Sequence, residues 1–442
     1  MTQRQSQRKA ILASCFGTAM EYYDYSLFGI YSAIVFNKIF FDPADPAAGT
    51  LQAMAIFSIG FLFRPVGGMI LASLGDRFGR RLALVVTLIM MGTSTFLIGV
   101  LPTYQQVGIL APLLLLLLRF VQAAGAGTEL NAAVVFIAEG TTSRSKGLIA
   151  SLPTMGTFIG SVLASLSVSL VSLLPEDDFL SWGWRIPFLA SAIVVVVGVM
   201  LRYRLDETKE FVAMVEHNAV SRQPIRESLR TDRKAILTVF VAVAGWMPFP
   251  FLFQVYALSY ADSVLHLPGP VITVGLLISA LVAIPCLPLF GALSDRVGRK
   301  RVIVSGYLFL ALFTGPFFLL AATGNGWGFW LAMAIGFGVG NSALFAPQQA
   351  WLVDMFDVRR RLSGMVLGRE VGGAAGGLTP LIASALVIAA NGSPRFLMVF
   401  LISSALVGAL AVAVSKPHRQ EPTVQADDMA EPTVAKPAVP LV

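Results

Sequence analysis

Gly75-Asp76-Arg77-Phe78-Gly79-Arg80-Arg81 and Ser294-Asp295-Arg296-Val297-Gly298-Arg299-Lys300-Arg301 are two versions of one phrase. Each ends one apolar run and opens the next: the first lies between runs at about 51–74 and 82–101, the second between runs at about 270–293 and 302–322. One Asp-Arg-x-Gly-Arg match carries little weight. Its return six runs later indicates a duplicated half, a construction common in membrane proteins that move solutes. Outward from these loops, further runs fall at about 11–36, 107–138, 148–174 and 186–203, then at about 236–260, 329–353, 365–390 and 395–415. A bilayer span needs about 20 apolar residues. The expected fold is therefore all-α integral membrane, twelve transmembrane helices in two six-helix bundles.

Composition agrees with lipid as the solvent. Of 442 residues, 56% are hydrophobic and 13% charged, against roughly a quarter charged in soluble domains; mean hydropathy is +0.75. The bundles are expected over residues 11–203 and 236–415. A cytoplasmic N-terminus (1–10), a cytoplasmic linker (204–235) and a disordered cytoplasmic tail (416–442) complete the chain. The tail is rich in Pro, Ala, Glu and Asp, repeats Glu-Pro-Thr-Val at 421 and 431, and has nothing with which to bury a core. The first run is too long for a signal peptide and lacks a small-residue cleavage site.

The net charge of +7 acquires its meaning from placement. Arg4, Arg8 and Lys9, Arg77, Arg80 and Arg81, Arg144 and Lys146, the linker, Arg296 to Arg301 and Arg359 to Arg361 all fall on one side of the alternating loops. The other side reads Asp42-Pro43-Ala44-Asp45, Glu176-Asp177-Asp178 and Ala261-Asp262. Positive loops stay inside, which puts both termini in the cytoplasm of a bacterial inner-membrane protein. The basic balance then gives no reason to invoke nucleic acid; the partners expected are the bilayer and a small solute, with the monomer as the working unit. Cys15 and Cys286 form no disulfide framework, and His217, His266 and His418 are too scattered for a metal site. No phosphate-binding GxxxxGK[ST] loop occurs, so no cofactor is expected beyond a coupling proton.

The paired loops resemble the signature loop of the major facilitator superfamily. The second copy carries the leading Gly291, whereas the first has Ala72. Within that superfamily, Glu21-Tyr22-Tyr23-Asp24-Tyr25 is similar to the Glu-Trp-Tyr-Asp-Phe motif of the metabolite:H+ symporter family. Arg64-Pro65-Val66-Gly67-Gly68, Arg119-Phe120-Val121-Gln122, Trp182-Gly183-Trp184-Arg185-Ile186-Pro187-Phe188 and Glu207-Thr208 also sit where such proteins have them. The resemblance covers nearly all of residues 11–415. It implies proton-coupled uptake of a carboxylate such as citrate, 2-oxoglutarate or shikimate, or of a zwitterion such as proline or betaine, with residues 29–200 closest to the shikimate-like and citrate-like members. Tyr22 replaces the family tryptophan, and Ala123, Thr128, Leu130 and Asn131 interrupt a glycine-rich stretch, so Asn131 is a candidate specificity residue.

Ionisable groups deep in a span cost at least about 2.5 kcal/mol each and so need a partner, water or a function. Glu21 and Asp24 are three apart on one helix face, with Tyr25 beside them; either is a candidate proton acceptor, the alternative being ion pairs that hold helices together. Arg119, Gln122 and Glu129 fall within about 80° of one another on a helical wheel. Arg119 is the first candidate for binding a carboxylate through two parallel hydrogen bonds, unless it pairs permanently with Glu21 or Asp24. Glu129 is a candidate proton site or gate partner.

Phe249, Phe253, Tyr256 and Tyr260 form an aromatic stripe in the seventh run, in which Tyr256 is the candidate substrate contact. Asn341 and Gln348 in the tenth are polar candidates of the same kind. Arg369 and Glu370 depart from the family and are possible specificity residues. Their shallow position favours instead an arginine that snorkels to the interface. Asp76, Arg80, Asp295 and Arg299 are expected to gate the cytoplasmic end. The fifth run has Gly156 and Gly160 but no following Gly-Pro of the antiporter kind, which favours import over efflux.

Overall fold

The computed structural model describes residues 3–42, 46–140, 145–203, 205–217, 219–263, 265–391 and 393–418. Pro43, Ala44, Asp45, Arg144, Arg204 and the tail beyond residue 418 lie outside them.

The first half comprises six long helices, Gln3–Ile34, Pro46–Phe78, Arg80–Val100, Leu110–Glu139, Lys146–Val171 and Arg185–Tyr203. In the second half the seventh helix, Arg233–Trp246, continues through Pro248–Phe251, a π-helical stretch Leu252–Tyr256 and Ala257–Ser263. The eighth is Gly269–Val297, the ninth Arg299–Ala321, the tenth Gly326–Asp354 with a π-helical middle at Ala334–Asn341, and the twelfth Arg395–Val414. Between the halves run two short helices, Lys209–Glu216 and Pro224–Thr231, the first capped by Thr208, whose Oγ1 accepts from the Phe211 amide.

Ten of these helices are long and apolar enough by composition alone to cross a membrane. The remaining two have visible reasons for falling short. The first carries Arg4, Arg8, Lys9, Glu21 and Asp24. The eleventh, expected as one run over 365–390, is split into Arg361–Gly376 and Thr379–Ala389 by a turn at Gly377–Leu378. Gly372, Gly373, Gly376 and Gly377 weaken the helix there, and Pro380 cannot supply the amide that would continue it. Large apolar side chains such as Leu173 (82% exposed), Leu312 (78%) and Leu319 (74%) face outward, as a lipid-facing surface requires.

The repeated loops turn sharply between consecutive helices. Gly79 has φ 115° and Gly298 φ 105°, a region that side chains rarely adopt. Both glycines occupy the same place in the repeat. The halves meet where the second helix packs on the eleventh and the fifth on the eighth, two contacts that exchange when six is added to each helix number. At the second contact, Gly147 and Gly291 let the backbones touch: a Cβ on Gly291 would come within 2.8 Å of the Gly147 carbonyl. That close approach is the physical reason for a leading glycine in the second loop.

Candidate functional site

A cavity of about 310 Å³ lies between the halves. Its base is polar: Glu21 and Tyr22 from the first helix, Arg64 from the second, Asn341 from the tenth, Arg369 and Glu370 from the eleventh. From there it extends along Ser165 and Ser169, near the end of the fifth helix, and Thr273 and Leu277, near the start of the eighth. The fifth helix starts and the eighth ends at the face carrying the repeated loops, so the cavity rises toward the opposite face. Phe61, Trp246, Phe251, Phe337 and Phe345 supply apolar walls.

Arg64 organises the base. Its Nη2 lies 2.5 Å from Glu21 Oε1 and its Nε 3.3 Å from Glu370 Oε2. It also donates to the Ala126 carbonyl. Asn131 Nδ2 donates to Glu370 Oε1 at 3.0 Å, while Asn131 Oδ1 accepts from Arg369 Nη1 at 3.0 Å. Arg369 donates onward to Gln349 at 3.2 Å. Arg369 and Glu370 are 6% and 9% exposed. The expected snorkelling therefore does not occur. Both residues face inward because the eleventh helix packs on the seventh and second, and each finds a hydrogen-bond partner there. Nearby, Asn341 Oδ1 accepts from Trp246 Nε1 at 2.8 Å.

Asp24 and Arg119 lie in a smaller side pocket of about 20 Å³, shared with Glu21, Tyr25, Arg64 and Gln122. Neither oxygen of Asp24 meets a donor in hydrogen-bond geometry, although Thr95 and Arg119 are polar groups that act on it. Arg119 does not form the ion pair considered from the sequence. It donates to Gln122 Oε1 at 2.6 Å and sits over the rings of Phe28 (4.3 Å) and Phe57 (5.2 Å). Gln122 is held in turn by Thr95 at 2.8 Å. Arg64, together with Arg369, thus reaches the large cavity, and Arg119 does not. The sequence signal for Arg64 was its position inside a span, but nothing local ranked it above Arg119. Tyr25 lines both pockets and packs against Phe57 and Phe61.

Three candidates lie elsewhere. Glu129 forms a buried ion pair with Arg202 of the sixth helix and accepts from Thr87 Oγ1 at 2.6 Å. All three helices belong to the first half, so Glu129 neither opens into the cavity nor bridges the halves. Tyr256 is absent from the cavity lining; it stacks on Tyr260 at 5.9 Å and meets Phe318 edge-on. The π-helical stretch rotates Gln254 into the cavity instead. Gln348 is wholly buried with neither amide atom partnered.

The face carrying the repeated loops is closed by two matching contacts. Asp76 accepts from the Leu362 and Ser363 amides at 3.3 and 2.8 Å, at the start of the eleventh helix. Asp295 accepts from the Gly147 and Leu148 amides at 2.7 and 2.9 Å, at the start of the fifth. Each carboxylate thereby caps a helix N-terminus in the other half, where the unsatisfied amides and helix dipole favour negative charge. Arg80 pairs with Asp76 and Glu139, both at 3.2 Å, and donates to the Val358 carbonyl. Arg299 pairs with Asp354. Arg361 joins Glu139 (3.0 Å) to Glu210 of the linker (2.9 Å). Burial, reinforced by Glu139, pushes the Glu210 carboxyl above its ordinary range, and Arg361 opposes the shift.

Two related helical halves around a mid-height polar cavity, shut at one end by contacts that a rigid rocking motion can break, define a secondary transporter. The chain belongs to the Major Facilitator Superfamily, whose family profile matches residues 14–340 and 257–440. It is 35% identical to the shikimate transporter of Escherichia coli (strain K12) over 417 residues, covering 92% of this chain and 94% of that one. The citrate-proton symporter of Klebsiella pneumoniae is 33% identical over 91% of this chain and 90% of its own length, and the proline/betaine transporter of Escherichia coli (strain K12) 32% over 94% and 84%. A solved structure of the proton:xylose symporter XylE bound to 6-bromo-6-deoxy-D-glucose superposes with TM-score 0.74 at 15% identity, covering 93% of this chain and 95% of that one. These relatives are transporters, and this chain is a multi-pass membrane transporter and not an enzyme.

Proposed function

We propose that the protein is a proton-coupled symporter that imports a small organic anion across a bacterial inner membrane, with the face of the repeated loops in the cytoplasm and the monomer as the working unit. The observation that carries this reading is Arg64, a guanidinium in the cavity base shared by two carboxylates, Glu21 and Glu370. With both ionised, Glu21, Arg64, Arg369 and Glu370 sum to zero charge, so an arriving anion adds an unbalanced negative charge. A proton on Glu21 restores neutrality and weakens one of the two holds on Arg64, which can then bind the substrate carboxylate through parallel hydrogen bonds. Asp24, beside Arg119 in the adjoining side pocket, is the acceptor from which Glu21 receives that proton, so coupling requires both carboxylates. Tyr25, Gln254 and Asn341 offer the neutral polar contacts that orient the remainder of the substrate. Asp76, Arg80, Asp295 and Arg299 hold the cytoplasmic end shut until the loaded carrier rocks.

A zwitterion symporter is the second reading. A cavity that holds the Glu370 carboxylate and the rings of Tyr22, Trp246 and Phe345 is suited to a cationic head, and proline/betaine transporters are among the relatives. A thermal-shift screen of the purified protein separates the two, using mono-, di- and tricarboxylates, aromatic acids, proline and betaine. Stabilisation by carboxylates alone supports the first reading. Stabilisation by zwitterions alone overturns it.

A further inference from the structure

Arg369 and Glu370 are adjacent in sequence and point about 100° apart on their helix, so they cannot pair with each other. One side chain from the other half, Asn131, meets both with the correct ends. Its amide donates to the Glu370 carboxylate and its carbonyl accepts from the Arg369 guanidinium, each at 3.0 Å. Arg64, also from the first half, takes the remaining Glu370 oxygen at 3.3 Å. The result is a charge-matched join between the bundles at the base of the cavity, separate from the contacts that close the cytoplasmic end. Glu370 begins about 14 Å, nine residues at about 1.5 Å each, from the start of its helix. The charged and titratable groups around it are Arg64 on the second helix, Glu21 and Tyr22 on the first, and its neighbour Arg369.

Of the two carboxylates on Arg64, Glu21 is held at 2.5 Å and belongs to the same half, whereas Glu370 is held at 3.3 Å through Nε alone and belongs to the other. The longer contact is the easier one to exchange. We propose that Glu370 is a tethered stand-in for the substrate carboxylate. Its contact with Arg64 clasps the two bundles while the carrier is empty, and a substrate anion that takes Arg64 from it releases the clasp. This rests on the anion reading above. Breaking a buried ion pair without replacement is strongly unfavourable, so the empty carrier stays clasped; a substrate carboxylate supplies the replacement. Loading and rocking are thereby linked through one guanidinium, with Asn131 as the residue that positions Glu370.

The test uses full-length protein in nanodiscs, with Cys15 and Cys286 replaced by serine and spin labels at Phe78→Cys and Val297→Cys. Both sites are exposed, at the ends of the second and eighth helices. Pulsed electron resonance then reads the separation of the halves without any ligand. Glu370→Gln and Asn131→Ala are each expected to raise the long-distance, cytoplasm-open population at least fivefold. Unchanged distributions in both variants overturn the clasp. A second arm titrates shikimate and citrate against Trp246 fluorescence. Removal of the tethered competitor in Glu370→Gln is expected to tighten binding of the acid that the wild type binds by roughly tenfold, and weaker binding makes Glu370 a substrate ligand and overturns the proposal. If neither acid binds wild type, the choice of substrate class has failed, while the distance measurement still decides the clasp.

Discussion

Arg64 and Arg119 show what a side chain's neighbours decide that its position in a sequence does not. Both are arginines deep in apolar runs, yet Arg119 rests on two phenylalanine rings and a glutamine while Arg64 meets two carboxylates in the cavity. Glu21, Asp24, Tyr25 and Asn341 could be singled out from sequence because few polar groups survive in the spans. Glu129 could not be separated from them, since its partner, Arg202, lies 73 residues away. If the substrate is the proposed acid, Arg64→Lys should weaken its binding by roughly tenfold or more, because a lysine cannot hold two carboxylates in one plane; equilibrium titration reads this directly. Arg64→Ala strands the buried Glu21 and takes one of its partners from Glu370, a change of about 3–5 kcal/mol for a broken buried pair, and a lowered melting temperature should accompany lost transport. Replacing Glu129 with glutamine should likewise lower the melting temperature, by stranding Arg202, and leave the ligand affinity of whatever protein folds unaltered.

Among the elements, helix ends carry the closing of the cavity. Asp76 and Asp295 act at the first turns of the eleventh and fifth helices, and loss of such a cap costs about 1 kcal/mol. Asp295→Ala should therefore move the balance of open and closed forms at the face of the repeated loops by roughly fivefold, seen as faster labelling of a cysteine placed at Leu148. The repeated loops announced these residues, but not that each caps a helix in the opposite half, because the partner helices lie far along the chain. The breaks were less legible. Pro248 and Pro250 are visible helix breakers in the seventh run, whereas the turn at Gly377–Leu378 lies inside an apolar run whose composition alone reads as continuous. The π-helical stretch at Leu252–Tyr256 likewise leaves no composition signal, and it is what directs Gln254 and not Tyr256 into the cavity.

At the scale of the whole molecule, hydropathy and the duplicated loop were enough to anticipate two six-helix halves, because lipid constrains a spanning chain to helices. The seam between the halves follows from the same duplication: second on eleventh and eighth on fifth are one contact made twice. The cavity between them, closed at the basic end, is the form that would accept substrate if the transporter imports as proposed. The most direct test of that account is uptake into proteoliposomes under an imposed inward proton gradient, with radiolabelled shikimate or citrate as probe. Wild type should accumulate the acid above its external concentration and lose that accumulation when a protonophore is added, while Asp24→Asn should retain exchange of the acid across the membrane but fail to accumulate it. Accumulation that persists in Asp24→Asn, or that is indifferent to the proton gradient in wild type, would contradict the account.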